Sequence, residues 1–330
     1  MPEVLYYFLA AAIVYALILW LIWSYQRSIL FRPWKFLIDP RLCAVDGVDL
    51  VDLHPSDEEK LYAWHRAPKV AGAPVIVYFD GNRGNISIWN RRWRRIAAAG
   101  AGFIAVSYRG YGGSTQQPSE QGLHEDAHFA WQWALQYYPE SQLAIHGFSL
   151  GTGVAAKLGS IVKTSPVILE APYTSTVGRA REMMPVLPVS WLMRDTFRNR
   201  DWVGNIEAPL LIAHGDRDRI VPIRHGKKLY RLARQPKKFV KFKGSNHLTM
   251  PSNGLYPVIW DFLDYVPPGE YAERAYAEEQ EWTAEGWVQP LAAALPESAV
   301  ASEKNLFTEQ KNEVGVMRRR ARPLHRRFIP

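Results

Sequence analysis

The chain has 330 residues, of which 48% are hydrophobic and 22% are charged, so it has the composition of a folded protein with one large core and extensions. The single cysteine, Cys43, cannot form an internal disulfide, and no Cys/His cluster has the ligand spacing of a zinc site. The formal charge of +8 arises largely from an arginine-rich C-terminal tail.

The N-terminal segment contains a long apolar run without a charged side chain, residues 4–23. A helix of about 20 residues spans roughly 30 Å, the thickness of a bilayer core. Aromatic residues suited to the two membrane interfaces flank the run: Tyr6, Tyr7, Trp20, Trp23 and Tyr25. The pattern predicts a single transmembrane helix, with residues 1–27 as the membrane anchor.

Two alternatives to a membrane anchor are a cleaved secretory signal and a buried core helix. A signal is disfavoured because Met1-Pro2-Glu3 has no basic residue and Trp23–Gln26 lacks the small residues of a cleavage site. A core helix is disfavoured by the length of the uncharged run. Basic residues follow the run, and by the positive-inside rule they predict a cytoplasmic main body in a single-pass membrane protein: Arg27, Arg32, Lys35 and Arg41.

The middle of the chain, residues 28–268, alternates short apolar runs with helical segments. Most of the apolar runs lack strict alternation, which is typical of strands buried on both faces. The predicted strands are Val75–Phe79, Phe103–Ser107, Leu143–His146, Val167–Leu169, Leu210–Ala213 and Phe239–Phe242. The order of elements predicts an α/β fold with a mainly parallel, doubly wound sheet, whose reactive groups gather at the carboxyl ends of the strands.

After Pro267-Pro268-Gly269 the composition changes to a Glu-rich and then an Arg-rich sequence. The change predicts a domain boundary and a charged, solvated tail over residues 269–330. An arginine run can also bind nucleic acid. We expect no nucleic-acid partner, because the chain has neither a known binding fold nor interleaved stacking aromatics.

The residues after the third predicted strand read Gly147-Phe148-Ser149-Leu150-Gly151. A serine in a sharp strand-to-helix turn needs neighbours without a β-carbon, because the two backbones pass within contact distance there. The alternative, a glycine cradle for phosphate, is disfavoured because the glycine spacing fits neither a dinucleotide fingerprint nor a P-loop. The pattern therefore predicts Ser149 as a nucleophile.

A serine nucleophile requires a histidine base and a carboxylate that orients it, in the chain order Ser, acid, His. Asp218 follows one predicted strand and His247 follows the next, so both arrive in that order. Asp216 lies nearer the strand and is expected to shape the turn, and Glu170 is the alternative acid.

Hydrolysis by such a serine also needs two N–H donors for the oxyanion. The amide of Leu150, directly after the nucleophile, supplies the first. The glycine loop after Val75–Phe79 supplies the second, from Asn82 or, less favourably, from Arg83. Nothing in this chemistry requires a metal or an organic cofactor.

Residues 75–250 resemble the α/β-hydrolase superfamily, in particular membrane-associated serine hydrolases that include lysophospholipid lipases, protein depalmitoylases and serine aminopeptidase-like proteins. The matching motifs are Asp80-Gly81-Asn82, Tyr108–Ser114 with Pro118-Ser119-Glu120 and Asp126, Gly147–Gly151, Ala171–Ser175, His214-Gly215-x-x-Asp218-x-x-Val221-Pro222 and Gly244-x-x-His247. The resemblance implies an α/β-hydrolase fold with Ser149, Asp218 and His247 as catalytic residues and Asn82 and Leu150 as oxyanion donors.

The chain departs from these relatives at Asp80, where they usually have histidine. A carboxylate near a developing negative charge opposes catalysis unless it is turned away or paired, for which Arg83 and Arg109 are candidates. The resemblance also implies a short cap at residues 173–208, whose apolar side chains either contact an acyl chain or pack the cap onto the core. The cluster Arg91, Arg92, Arg94 and Arg95 is expected to be a solvated basic face or a site for anionic head groups.

Together these features predict a membrane-anchored serine hydrolase that cleaves an ester or thioester of a small-molecule, lipid-derived or acylated substrate through an acyl-enzyme on Ser149. A peptidase or amidase of the serine aminopeptidase type is one alternative. A non-catalytic scaffold with the hydrolase fold is the other, and Asp80 and the charged tail are the features that suggest it.

Overall fold

The structure is a computed structural model that describes residues 2–36, 39–43, 45–56 and 58–274. All of these residues belong to one compact unit. The predicted tail begins within this range, but its residues after 274, with the arginine run, lie outside the described residues.

The helices and strands alternate through the middle of the chain as the sequence predicts. The helices are α1 (Pro2–Leu30), α2 (Asn90–Ala98), α3 (Glu120–Leu135), α4 (Gly151–Gly159), α5 (Thr176–Met183), α6 (Val189–Leu192), α7 (Asn199–Trp202), α8 (Arg224–Leu232) and α9 (Leu255–Phe262). The strands are β1 (Arg32–Pro33), β2 (Asp49–Ser56), β3 (Glu59–Arg66), β4 (Val75–Phe79), β5 (Arg83–Gly84), β6 (Gly102–Ser107), β7 (Leu143–Phe148), β8 (Val167–Glu170), β9 (Leu210–Gly215) and β10 (Lys237–Phe242).

The described residues form an eight-stranded sheet in the order β10-β9-β8-β7-β4-β6-β3-β2. Strands β10 to β6 in this order run parallel, and every residue of β4, β6, β7, β8 and β9 is buried. Burial on both faces explains why these strands are continuously apolar. Because they are parallel, their carboxyl ends share one edge of the sheet, where polar side chains can meet.

The predicted strands are all present, but β2 and β3 were not predicted. These two strands pair antiparallel with each other, and β3 pairs antiparallel with β6 at one end of the sheet. Their residues mix charged and apolar types, as in Glu59–Arg66, where buried positions such as Leu61 and Ala63 alternate with partly buried ones such as Lys60 and Tyr62. A search for continuous apolar runs misses such strands because one of their faces contacts solvent.

The apolar N-terminal run forms α1. None of the residues in its most apolar stretch of 18 is buried within the molecule. The helix is long and apolar enough to cross a membrane. Directly after it, β1 pairs in parallel with β5, so that Arg32 lies opposite Arg83 and Pro33 opposite Gly84. The end of α1 is therefore joined to the loop that follows β4.

The short cap lies between β8 and β9, where the sequence predicts it, and contains α5, α6 and α7. Val189 is buried, but Met183 is 64% and Trp191 92% exposed. The interpretation that the apolar side chains of the cap simply pack it onto the core is therefore wrong for Met183 and Trp191.

The arginine cluster of α2 also differs from expectation. Arg92 and Arg95 are buried and only Arg91 and Arg94 are partly exposed, so the four do not form one solvated basic face. The side chain of Arg92 instead points into the molecule, where it meets Glu170.

Candidate active site

The turn between β7 and α4 places Ser149 at a backbone φ of +51°, in the left-handed region that non-glycine residues rarely adopt. A β-carbon at Gly147 would lie 2.3 Å from the Gly151 carbonyl oxygen, and one at Gly151 would lie 2.1 Å from the Phe79 carbonyl oxygen. Both positions therefore require glycine, as the sequence pattern implies. The Ser149 amide donates to the Glu170 carbonyl at 2.9 Å, which holds the turn against β8.

The structure brings Ser149, His247 and Asp218 together although they are far apart in sequence. The Nε2 atom of His247 lies 2.8 Å from the Ser149 Oγ, and its Nδ1 atom lies 2.7 Å from the Asp218 Oδ2. These are hydrogen-bond distances. The arrangement is that of a serine hydroxyl, a base able to accept its proton and a carboxylate able to orient that base.

The carboxylate of Asp218 is buried and satisfied on both oxygens. Its Oδ1 accepts from the amides of Ile220 at 2.9 Å and Val221 at 2.8 Å, while its Oδ2 faces His247. Burial alone raises the pKa of Asp218, but hydrogen bonds from His214 and His247 and the amide of Val221 outweigh it, so the pKa lies well below its usual range. Asp218 is therefore ionised and positioned to stabilise an imidazolium at His247.

Asp216 has the local role expected of it. Its Oδ1 accepts from the amide of Gly244 at 2.7 Å, and the amide of Arg217 donates to the Ser245 carbonyl at 2.9 Å. These bonds join the loop that carries the acid to the loop that carries His247. They hold the two loops together just before Asp218 and His247 in the sequence.

The loop after β4 places Asn82 between α1 and the sheet. The Asn82 side chain donates to the Leu30 carbonyl at 2.8 Å, and its own carbonyl accepts from the Arg32 amide at 2.8 Å and the Tyr111 hydroxyl at 2.9 Å. Within the described part of the chain, neither the amide of Asn82 nor that of Leu150 donates to a protein acceptor. The role of these two amides as oxyanion donors stays a prediction.

Asp80 is buried at the start of this loop, and its carboxyl is paired in a way that the sequence did not predict. Its Oδ1 accepts from the Gly81 amide at 2.6 Å and its Oδ2 from the Trp89 indole N–H at 2.7 Å. Arg109, one of the two partners expected, instead binds Asp126 at 2.7 Å. Burial raises the pKa of Asp80 to about 7, although both donors favour the charged form.

Glu170, the alternative acid, belongs to a buried cluster beneath the nucleophile turn. Arg92 binds its two oxygens at 2.7 and 3.2 Å, and His146 lies 3.0 Å from one of them. Burial raises the pKa of Glu170, but Arg92 and His146 overcome this and lower it to about 2. The carboxylate of Glu170 is therefore bound by Arg92 and His146 and not by His247. Of the three candidate acids, Asp218 is the one that forms a hydrogen bond with His247.

Comparison with known proteins gives relatives in sequence and in structure, although no family model matches the chain. An uncharacterized protein of Mycobacterium tuberculosis, Rv2307c, is 28% identical over 239 residues, which is 72% of this chain and 85% of that protein. The lysophosphatidylserine lipase ABHD12 of Danio rerio is 34% identical over 231 residues. The match covers 61% of this chain and 60% of the lipase, so the chain spans less than two thirds of that relative.

Among solved structures, the Pyrococcus furiosus esterase Pf2001 superposes with a TM-score of 0.55 at 18% sequence identity, covering 71% of this chain and 97% of the esterase. An α/β-hydrolase from Penicillium, GrgF, superposes with a TM-score of 0.52. The chain has the α/β-hydrolase fold. The resemblance that the motifs indicated and the predicted fold class are thereby confirmed.

We expect Asp80 to make the stability of this protein depend on pH. Its folded-state pKa of about 7 exceeds the value of about 4 in an unfolded chain, so the fold favours the neutral carboxyl. That stabilisation is present below about pH 4 and is lost as the pH rises through about 7. The free energy of unfolding of Asp80→Asn, measured by urea titration in detergent, should therefore improve relative to wild type between pH 5 and pH 8.

Trp89→Phe provides an internal check on this expectation. The indole N–H stabilises the charged carboxylate, so its removal raises the folded-state pKa of Asp80 and should extend the loss of stability to higher pH, with the onset near pH 4 unchanged. Parallel stability curves for wild type and Asp80→Asn across this range would contradict the assignment.

Proposed function

We propose that this protein is a membrane-anchored serine hydrolase that cleaves the carboxylic ester of a lipid-derived substrate, with a lysophospholipid as the leading candidate. The observation that carries the proposal is the pair of hydrogen bonds from Ser149 to His247 and from His247 to Asp218. The similarity to a lipase named for lysophosphatidylserine supports the substrate class.

In the proposed reaction, the Ser149 Oγ attacks the ester carbonyl carbon and its proton passes to the His247 Nε2. Asp218 holds the Nδ1–H and stabilises the imidazolium. The amides of Leu150 and Asn82 donate to the oxyanion of the tetrahedral intermediate. When the intermediate collapses, the C–O bond to the alcohol breaks, and the alcohol leaves with the proton from His247.

The acyl-enzyme is then hydrolysed by the same groups in reverse. His247 takes a proton from water, whose oxygen attacks the acyl carbonyl, and it returns that proton to the Ser149 Oγ as the acid leaves. A thioester would follow the same steps with a thiol as leaving group. The scheme needs no metal and no organic cofactor.

The proposed membrane anchor is α1, with the hydrolase domain on the cytoplasmic side. Its last turn is bonded to the body of the protein: Arg27 forms an ion pair with buried Asp195 at 2.8 Å, and the Leu30 carbonyl accepts from Asn82. A cleaved signal peptide would have no reason to form such contacts. They support an anchor that is retained in the mature protein.

Ser149→Ala is the direct test of the proposal. We expect a fluorophosphonate probe to label the full-length wild-type protein in detergent but not the variant, and we expect lysophosphatidylserine hydrolysis to fall by at least about 10³-fold. Ser160→Ala, at the other end of α4, is the matched control and should be labelled normally.

Folded wild-type protein that the probe does not label would favour the scaffold alternative. The same preparation can be tested on an acyl thioester and an aminoacyl anilide. Faster cleavage of the anilide than of either ester would favour the peptidase alternative.

The loop after β9, here called the acid loop, carries Asp216 and Asp218. We expect substitutions of these two aspartates to differ sharply in their effect on turnover. Asp218→Asn presents an amide to His247 and disfavours the productive tautomer, so we expect kcat to fall by about 10³ to 10⁴-fold. Asp216→Asn retains an acceptor for the Gly244 amide and should stay within a few-fold of wild type. Equal losses in kcat for a soluble ester would refute the assignment of Asp218.

The cytoplasmic placement can be tested by fusing compartment-sensitive reporters to the C-terminus of the full chain in a bacterial host. The basic residues after α1 predict an active cytoplasmic reporter and an inactive periplasmic one. The opposite pattern would overturn the orientation but not the hydrolase activity.

A further inference from the structure

The tip of the cap, residues 183–193, lies along α1. This part of the chain contacts α1 at two levels. Near the end of the helix, the Gln26 side chain donates to the Leu192 carbonyl at 2.9 Å and accepts from the Arg194 amide at 2.7 Å. Further toward the N-terminus, the Tyr15 hydroxyl lies 3.4 Å from the Val186 carbonyl oxygen. The cap therefore extends along the side of the proposed membrane span.

The second contact lies deep within the apolar part of α1. At about 1.5 Å per residue, Tyr15 is about 16 Å along the helix axis from Gln26 and about 12 Å from Trp23, the last residue of the uncharged run. If α1 spans a bilayer, the level of Tyr15 is within the hydrocarbon region. The part of the cap beside Tyr15 must then also be in contact with lipid.

The composition of the cap tip matches such an environment. Residues 183–193 contain no charged side chain, whereas charged residues lie directly on either side, Arg181 and Glu182 before and Arg194 and Asp195 after. Within the tip, Val186 is 83% and Trp191 is 92% exposed. Contiguous exposed apolar side chains on a folded domain indicate a surface that another apolar phase covers.

The charges that border the tip lie at the level expected for lipid head groups. The guanidinium of Arg194 lies 5.1 Å from the ring centroid of Trp23, and the side chain of Arg181 donates to the Ser190 hydroxyl. Arginine and tryptophan are the side chains that the membrane interface favours, the first for its attraction to phosphate and the second for its amphipathic ring. Arg194, at one end of the tip, thus lies beside Trp23 at the end of the apolar run of α1.

The other end of the tip is joined to the acid loop of the site. Arg179 of α5 donates to the Ile220 carbonyl at 2.6 Å, and Glu182 binds Arg224 at 2.7 Å. Since the Ile220 amide is itself bound by Asp218, the tip runs from the neighbourhood of Asp218 to the side of α1. The segment that leads into the tip is therefore bonded directly to the loop that carries Asp218.

We propose that residues 183–193 are a second membrane-inserted element, which packs beside α1 and immerses Met183, Val186 and Trp191 in one leaflet. The occupant of this apolar surface is the acyl phase of the bilayer, and a long-chain substrate enters the site from that phase without passing through water. The inference rests on the proposed membrane span of α1 and deepens the proposed function.

Depth-dependent quenching tests the insertion. Full-length protein with Cys43 replaced by serine is given a single cysteine at Val186 or Trp191, labelled with an environment-sensitive fluorophore and reconstituted in phosphatidylcholine vesicles that contain spin-labelled acyl chains. We expect a blue-shifted, strongly quenched emission at both sites. Tyr137, which is exposed at the end of α3, is the matched control and should remain in water and unquenched.

A labelled cysteine at Ile13 of α1 separates the possible failures. Quenching at residue 13 with water-like emission at 186 and 191 would overturn the inserted cap and leave the span intact. No quenching at residue 13 would overturn the span itself, and the fluorophosphonate reaction would still report on the hydrolase. Emission at 186 and 191 that is blue-shifted but unquenched would show coverage by protein, such as a second copy, and would overturn insertion in lipid.

The functional consequence is tested with Val186→Asp and Trp191→Asp. We expect each to lower hydrolysis of an oleoyl lysophospholipid in vesicles by at least about 10-fold, while hydrolysis of water-soluble p-nitrophenyl acetate stays within two-fold. Trp191→Leu should retain most of the vesicle activity of the wild type, and Ile161→Asp, at an exposed apolar position just after α4, should change neither activity. Equal losses on both substrates, or no loss on either, would overturn the proposal.

Discussion

The left-handed backbone of Ser149 is the constraint around which the site is arranged. A conformation of this kind costs on the order of 1–3 kcal/mol and persists only where its surroundings hold it. Here the Ser149 amide is bound by the Glu170 carbonyl, and α4 lies so close to β4 that no side chain fits at Gly151. The loop after β4 lies against the same serine, since a β-carbon at Gly81 would lie 3.6 Å from the Ser149 Cβ.

Buried charge connects the two halves of this arrangement. The Glu170 carbonyl accepts from the Ser149 amide, its carboxylate binds Arg92, and Arg92 belongs to α2, which follows the loop after β4. Trp89, three residues earlier, binds Asp80 at the start of that loop. The turn at Ser149 and the loop after β4 are thus joined by contacts that do not involve substrate. A buried ion pair of this kind adds little net stability but is costly to break, which keeps the geometry defined.

The sequence predicted the parts of the structure that depend on local pattern. Continuous apolar runs identified the parallel strands, and the glycines at 147 and 151 identified the turn, because each has a steric cause that is visible within a few residues. Side-chain pairing across the fold was not predictable in this way. The Arg92–Glu170 pair joins residues 78 positions apart, and the carboxylate of Asp80 accepts from the Gly81 amide and the Trp89 indole rather than from the arginines considered. Strands β2 and β3, at one end of the sheet, were missed because they lack a continuous apolar run.

The contacts of α1 fix its direction relative to the rest of the domain. The Leu30 carbonyl accepts from Asn82 in the loop after β4, and Arg27 binds Asp195, which also accepts from the Glu120 amide at the start of α3. A helix joined only by a flexible linker would leave the domain free to rotate about it. On the proposal that α1 spans a bilayer, these bonds set the orientation of the domain, and the face turned toward lipid is the cap, which is bonded to the loop that carries Asp218.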